Sequence, residues 1–200
     1  MTVTRQIDAL VERWNFLRHP FNEAWSEGEL THADLARYAG AYRWPVLALA
    51  AVTELARDNE HARKGYEHVA LWEAFAAACG APPAEPIGAA AECALAWLAA
   101  RDRLERLAVL YAIESAQPAI AATKLDGLIR HYGFVEGPAT EYFAVHAQRD
   151  AEPAAAARDA LLAQATSSDC TRLTEQAEAA LRAKWRLLDE VMAQQWTTTA

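Results

Sequence analysis

Residues 107–128 read LAVLYAIESAQPAIAATKLDGL, and this stretch decides the fold class. Its apolar residues follow a helical period and show none of the strict alternation of a half-buried strand. A helix is expected from Arg103 to Tyr132, interrupted at Pro118 and ended by Gly133. Proline lacks the backbone donor that a continuous helix needs. Two charged residues break the apolar pattern. Glu114 sits amid Leu110, Tyr111 and Ile113, and Lys124 sits among Ile120, Leu125 and Leu128. A buried charge costs several kcal/mol in effect unless it is paired or coordinated. Either these two lie on a solvated helix rim, or they belong to a site.

The remainder of the chain carries the same period. Ile7, Leu10, Val11, Trp14 and Leu17 repeat at helical spacing, and HPFNEAWSEGEL (19–30) reads as a connector of one or two turns. Thr31 and Asp34 form a capping-box-like TxxD. They open a long helix towards Asp58 that Pro45 is expected to kink. A helix from Tyr66 to Cys79 stops at Gly80, and GAPPAEPIG (80–88) is a loop too short to link domains. Further helices are expected over 89–100, around His146 and over 171–196. No hairpin signal or internal repeat is present. One all-α domain over residues 1–200 is expected, a bundle of seven to eight helices with short connections.

Composition narrows the function classes. The chain has 200 residues, 53% of them hydrophobic, and a net charge of −8. That charge and the lack of a basic stripe argue against nucleic-acid binding. No apolar run is long enough to span a membrane, and MTVTRQIDALVERW lacks the apolar core of a signal peptide. Cys79, Cys93 and Cys170 show no CxxC spacing, so free thiols in a reducing cytoplasm are expected.

His146 and Asp150 carry the strongest chemical signal. In EYFAVHAQRDAEPAAAARDAL (141–161) they stand i, i+4, on one face of a helix. An imidazole and a carboxylate so placed can share a metal, or the acid can orient the ring. The next position on that face is Pro153, which ligates nothing. Because proline is tolerated at a first turn, a kink or helix restart is expected between Asp150 and Ala154. His61 and His68, in NEHARKGYEHVALWEAF (59–75), share a face if that segment is helical, although Arg63, Lys64 and Gly65 also allow a loop. Histidine and carboxylate sets from facing helices are how bundles hold iron or manganese. Tyr38 and Tyr42 stand i, i+4 and read as core or as a stacking wall for a substrate.

Four segments in order, HPFNEAWSEGELTHADLARYAGAYR, HVALWEAFAAACG, LYAIESAQPAIAATKLDGLIRHYGF and EYFAVHAQRD, resemble the heme-oxygenase-like superfamily of TenA and PqqC. Their spacing is most similar to its CADD group, di-iron oxidase-like proteins linked to p-aminobenzoate synthesis. The resemblance spans roughly Trp14 to Ala165. It implies a heme-oxygenase-like helical bundle with a central pocket, commonly dimeric, acting on a small metabolite. It implies metal-ligand roles for His68, Glu114, His146 and Asp150, and a place for Lys124 near the metal. The departures are local. Pro153 replaces the last histidine of HxxxDxxH, and His61 stands where a glutamate is expected, with Glu60 one residue away. Asn22 and Ile113 replace two tyrosines that the CADD group places near its metals, so that group's tyrosine-based self-sacrificing chemistry is not carried over.

The expected function is an iron-dependent oxidase or oxygenase using dioxygen on a small substrate. One iron is expected to bind tightly, with a second site weakened and dependent on His61 or Glu60. Lys124 is expected to hold a substrate carboxylate or move a proton. Two other readings stay open: a metal-free enzyme in the manner of TenA or PqqC, and a non-catalytic paralogue paired with an active homologue. A homodimer or such a heterodimer is the expected assembly.

Overall fold

The structure is a computed structural model describing residues 1–56, 59–81, 83, 85, 86, 88–148 and 152–197, apart from the side chains of 59–66, 152 and 194–197. Among the described residues the chain forms helices and no strand. In order they are α1 (Val3–Arg13), α2 (Pro20–Glu27), α3 (His32–Ala56), α4 (Asn59–Ala78), α5 (Gly88–Leu98), α6 (Arg103–Glu114), α7 (Gln117–His131), α8 (Glu141–Gln148), α9 (Glu152–Gln164) and α10 (Cys170–Thr197). A single 3₁₀ turn, Phe16–Arg18, joins α1 to α2.

Local chemistry sets several of these boundaries. The 19–30 connector folds as a true helix because Pro20 occupies its first turn and the His19 ring accepts a hydrogen bond from Phe21 N at 3.1 Å. At α3 the capping box forms as read. The Asp34 carboxylate accepts from Thr31 N at 2.7 Å and from its hydroxyl at 2.6 Å, while Asp34 N donates to Thr31 Oγ1 at 3.2 Å. Helix α4 starts at Asn59, earlier than the expected Tyr66, so 63–65 continue the helix and do not form a loop.

Pro118 lies in the first turn of α7 and restarts the helix there. A first-turn proline gives up a donor that has no helical acceptor in any case. Pro153 lies within α9, and residues 149–151, where the kink or restart is expected, lie outside the described residues. The described helices are more numerous than the seven or eight expected, within the same all-α bundle. Among the described residues no helix is long and apolar enough to cross a membrane.

Helix α3 runs through the middle of the packing, against α4, α5, α6 and α10, while α7 packs on α2 and α8. Between them lies an aromatic core. Trp25 meets Tyr38 edge-on at 5.5 Å, Trp72 meets Tyr142 at 4.8 Å, and Phe75 meets Phe143 at 4.9 Å and 88°. The indole N–H groups of the three fully buried tryptophans have carbonyl acceptors, as burial requires: Trp25 to Lys124 O at 3.1 Å, Trp72 to Ala39 O at 2.9 Å and Trp97 to Ala180 O at 3.1 Å.

The first of these bonds depends on Gly127. A Cβ there would lie 2.7 Å from Trp25 Cδ1 and 3.1 Å from Trp25 O, so glycine lets α7 approach α2 closely enough to be bonded by the indole. Replacing Gly127 with alanine is expected to destabilise the fold by about 1–3 kcal/mol, the usual cost of overpacking. Denaturant unfolding would measure it. An unchanged midpoint would show that α2 and α7 can part without cost.

Candidate functional site

Helices α4 and α8 bring two histidines together. The rings of His68 and His146 lie with centroids 4.5 Å apart at 60°. His146 Nδ1 is 2.6 Å from the carbonyl oxygen of Tyr142, one turn earlier on α8. A carbonyl only accepts, so Nδ1 carries the proton and the neutral ring keeps its lone pair on Nε2. Fixing one ring nitrogen on a carbonyl so that the other can ligate is the usual support of a metal-binding histidine.

Tyr142 connects this pair to a cavity. Its ring lies 4.2 Å from that of His146, at 34°. It also lines a small enclosed space with Tyr38, Tyr42, Lys124 and Lys184. The space has room for about one water. Tyr38 and Tyr42 stack at 5.3 Å and 29° along one face of α3. They are core residues, as one reading of the sequence expects, and they also line the cavity. Burial pushes the hydroxyls of Tyr38, Tyr42 and Tyr142 to ionise well above the usual range, so all three stay neutral.

Two lysines face this neutral wall. Lys124 is 3% exposed, and its Nζ makes no hydrogen bond. It sits over three rings, 3.9 Å from Trp25, 4.3 Å from Tyr38 and 4.9 Å from Phe21. Burial first, and the nearby Lys184 charge second, hold its pKa well below the ordinary value. Lys184, from α10, is also 3% exposed, 4.5 Å from the ring of Phe16 and 5.7 Å from that of Tyr42. Burial brings its pKa down to about 8. Sequence reading missed Lys184. It lies on the apolar stripe of Ala177, Leu181, Leu188 and Val191, the kind of signal that exposed Lys124.

The other expected site residues are placed unevenly. Glu114 is half-buried at the last turn of α6. Among the described residues no three of His, Cys, Asp and Glu gather as a metal-holding group. Asp150 and the side chain of His61 lie outside the described residues, as does that of Glu60. Asn22 is buried beside the cavity. Its amide donates to Phe16 O at 2.7 Å, and its Oδ1 accepts nothing. The thiols of Cys79 and Cys93 are pushed up to about 12 by burial, which suits inert packing residues.

Comparison with known proteins follows the geometry. Residues 30–185 match the family model described as iron-containing redox enzyme. The chain belongs to this family. A 4-aminobenzoate synthase of Nitrosomonas europaea is 36% identical over 183 aligned positions, covering 74% of each chain. Another of that name, from Chlamydia muridarum, is 29% identical over 216 positions, covering 96% of this chain and 91% of the relative. The fold matches a heme oxygenase-like domain of unknown function from Shewanella denitrificans, with TM-score 0.75, 16% identity and coverage of 100% and 96%. It also matches a TenA homologue from P. horikoshii, with TM-score 0.71, 14% identity and coverage of 96% and 98%. This iron-containing redox enzyme family member therefore has the heme oxygenase-like fold.

The Lys184 pKa makes a stability prediction. Below pH 8 both folded and unfolded chains hold the proton, so the folded state bears the whole cost of the buried charge. Between about 8 and the unfolded value of 10.5 only the unfolded chain holds it, so this contribution to stability rises with pH. Lys184→Met removes the term. The stability difference between variant and wild type is expected to change by on the order of 3 kcal/mol, in favour of the wild type, as pH rises from 7.5 to about 10. Taking the difference cancels the opposing titrations of the tyrosines, and a Cys93→Ala background removes that of Cys93, which interacts with Lys184. A flat difference would mean that Lys184 is solvated in the folded protein.

Proposed function

We propose that this protein is an iron-dependent oxidase or oxygenase that uses dioxygen on a small metabolite. The observation that carries the reading is the His68–His146 pair, with one ring anchored on a backbone carbonyl, beside an enclosed cavity in a member of an iron-containing redox enzyme family. Two imidazoles fit the nitrogen side of an iron site. Glu114 and Asp150 are the carboxylates proposed to complete it. Bound iron would supply the activation of dioxygen. The names of the relatives support a small aromatic acid as the chemical class handled here.

The chain's own residues have separate tasks. Tyr142 orients His146 through its carbonyl and covers one side of the pair with its ring. Trp72, Phe75 and Phe143 keep water from that side, which strengthens polar interactions within. Lys124 has an amine that burial biases towards the neutral form, so its Nζ can accept a proton from a substrate group in the cavity. Pro153 stands in the sequence where a further ligand would follow Asp150, and we propose that it weakens a second metal position.

Metal analysis tests the reading. Protein from iron-supplemented cells, dialysed against a mild chelator, is expected to keep at most one iron per chain. His68→Ala and His146→Ala are each expected to lose it, and Pro153→His to raise the total above one. Iron content equal to background in the wild type, with activity intact, would replace this reading with a metal-free enzyme. Two chelator-resistant irons in the wild type would show that Pro153 is compensated, with His61 and Glu60 the residues to mutate next.

A further inference from the structure

We propose that Lys124 and Lys184 together form the seat for a carboxylate, and that the metabolite bound in the cavity is a carboxylic acid held by its anionic end. This deepens the proposed function and rests on the cavity being the substrate site. Two amines from different helices, α7 and α10, line a single small space, and both are 3% exposed. Lys124 Nζ has no hydrogen-bond acceptor, and among the described residues neither amine is part of an ion pair. Each instead rests on an aromatic face, Lys124 on Tyr38 and Lys184 on Tyr42, and these two rings stack on each other. Both amines therefore reach the same cavity across a shared aromatic wall. An aromatic face offsets only part of the desolvation of a cation. Two unneutralised amines facing one cavity make a site that an anion completes.

Charge and hydrogen bonding select a carboxylate. The space admits about one water, so a carboxylate end enters with small side-chain shifts and a ring with larger ones. A carboxylate has two oxygens, one for each amine, and the surrounding hydroxyls stay protonated and can donate to it. Asn22 Oδ1 also borders the space and accepts nothing, so it can take a hydrogen bond from a water held against the bound acid. A metal cation is a poor occupant of the same space, since the Lys184 amine that lines it is positive at pH 7.

Isothermal titration at pH 7 tests this with three probes: formate, 4-aminobenzoate and the neutral 4-aminobenzamide. Titrations use the protein as purified and again after iron removal, so that a failure of the iron reading leaves the anion result readable. We expect at least one acid to bind, in both preparations, at least tenfold more tightly than the amide. Lys184→Met is expected to weaken it at least tenfold, with Lys184→Arg recovering part of the affinity. Binding of formate alone marks a headgroup-sized seat, and binding of 4-aminobenzoate as well marks a ring acid; either supports the proposal. If Lys184→Met does not fold, Lys184→Gln and Asn22→Leu take its place, the second expected to weaken binding without abolishing it. Acid and amide binding equally, neither acid binding, or wild-type affinity in the foldable Lys184 variant would overturn it.

Discussion

A lysine amine without a hydrogen-bond partner, buried among aromatic rings, is the constraint on which the rest of this structure turns. An unsatisfied buried donor costs about 1–3 kcal/mol, and more when charged. Contact with an aromatic face returns about 2 kcal/mol when the cation is desolvated. The two are of similar size, so the rings offset much of the cost of burying Lys124. The surrounding fold holds the amine against them. Gly127 lets α7 close on α2, the Trp25 indole bonds the carbonyl of Lys124 itself, and the ring that makes this bond lies beneath the amine. Loosening any of these contacts would give the amine access to water.

The histidine pair is positioned by the same aromatic layer. Tyr142 touches Trp72 edge-on, stacks against His146, accepts from its Nδ1 and borders the cavity. Its backbone and ring thus do different jobs, the first fixing a tautomer and the second contacting the imidazole while lining the cavity of the two amines. A lysine charge close to the histidines would disfavour a metal cation there.

Much of this was legible in the sequence. The helical period and the TxxD box at Thr31 were enough to read an all-α bundle, since both depend on neighbours three and four residues away. Lys124 and His146 were legible because a polar group on an apolar stripe has to find a partner. The pairing of His68 with His146 was implied by a family resemblance and not by spacing, because nothing local reports which helices face each other. Lys184 was overlooked although its stripe carries the same signal. The helix around it holds many charged residues, and one more lysine there draws no notice until the packing shows which face is inward. The role of Tyr142 was invisible, because it depends on a ring from another helix and on a backbone carbonyl. The start of α4 was misplaced because Arg63, Lys64 and Gly65 look loop-like, while the helix is stabilised by its packing on α3 and not by local propensity.

The most direct test is to locate the metal. Crystals of the iron-loaded protein, measured at the iron absorption edge, report where iron sits independently of turnover. The account predicts an anomalous peak about 2 Å from a ring nitrogen of both His68 and His146. No peak at that pair in crystals shown to contain iron, or a peak within the Lys124 and Lys184 cavity, would contradict it.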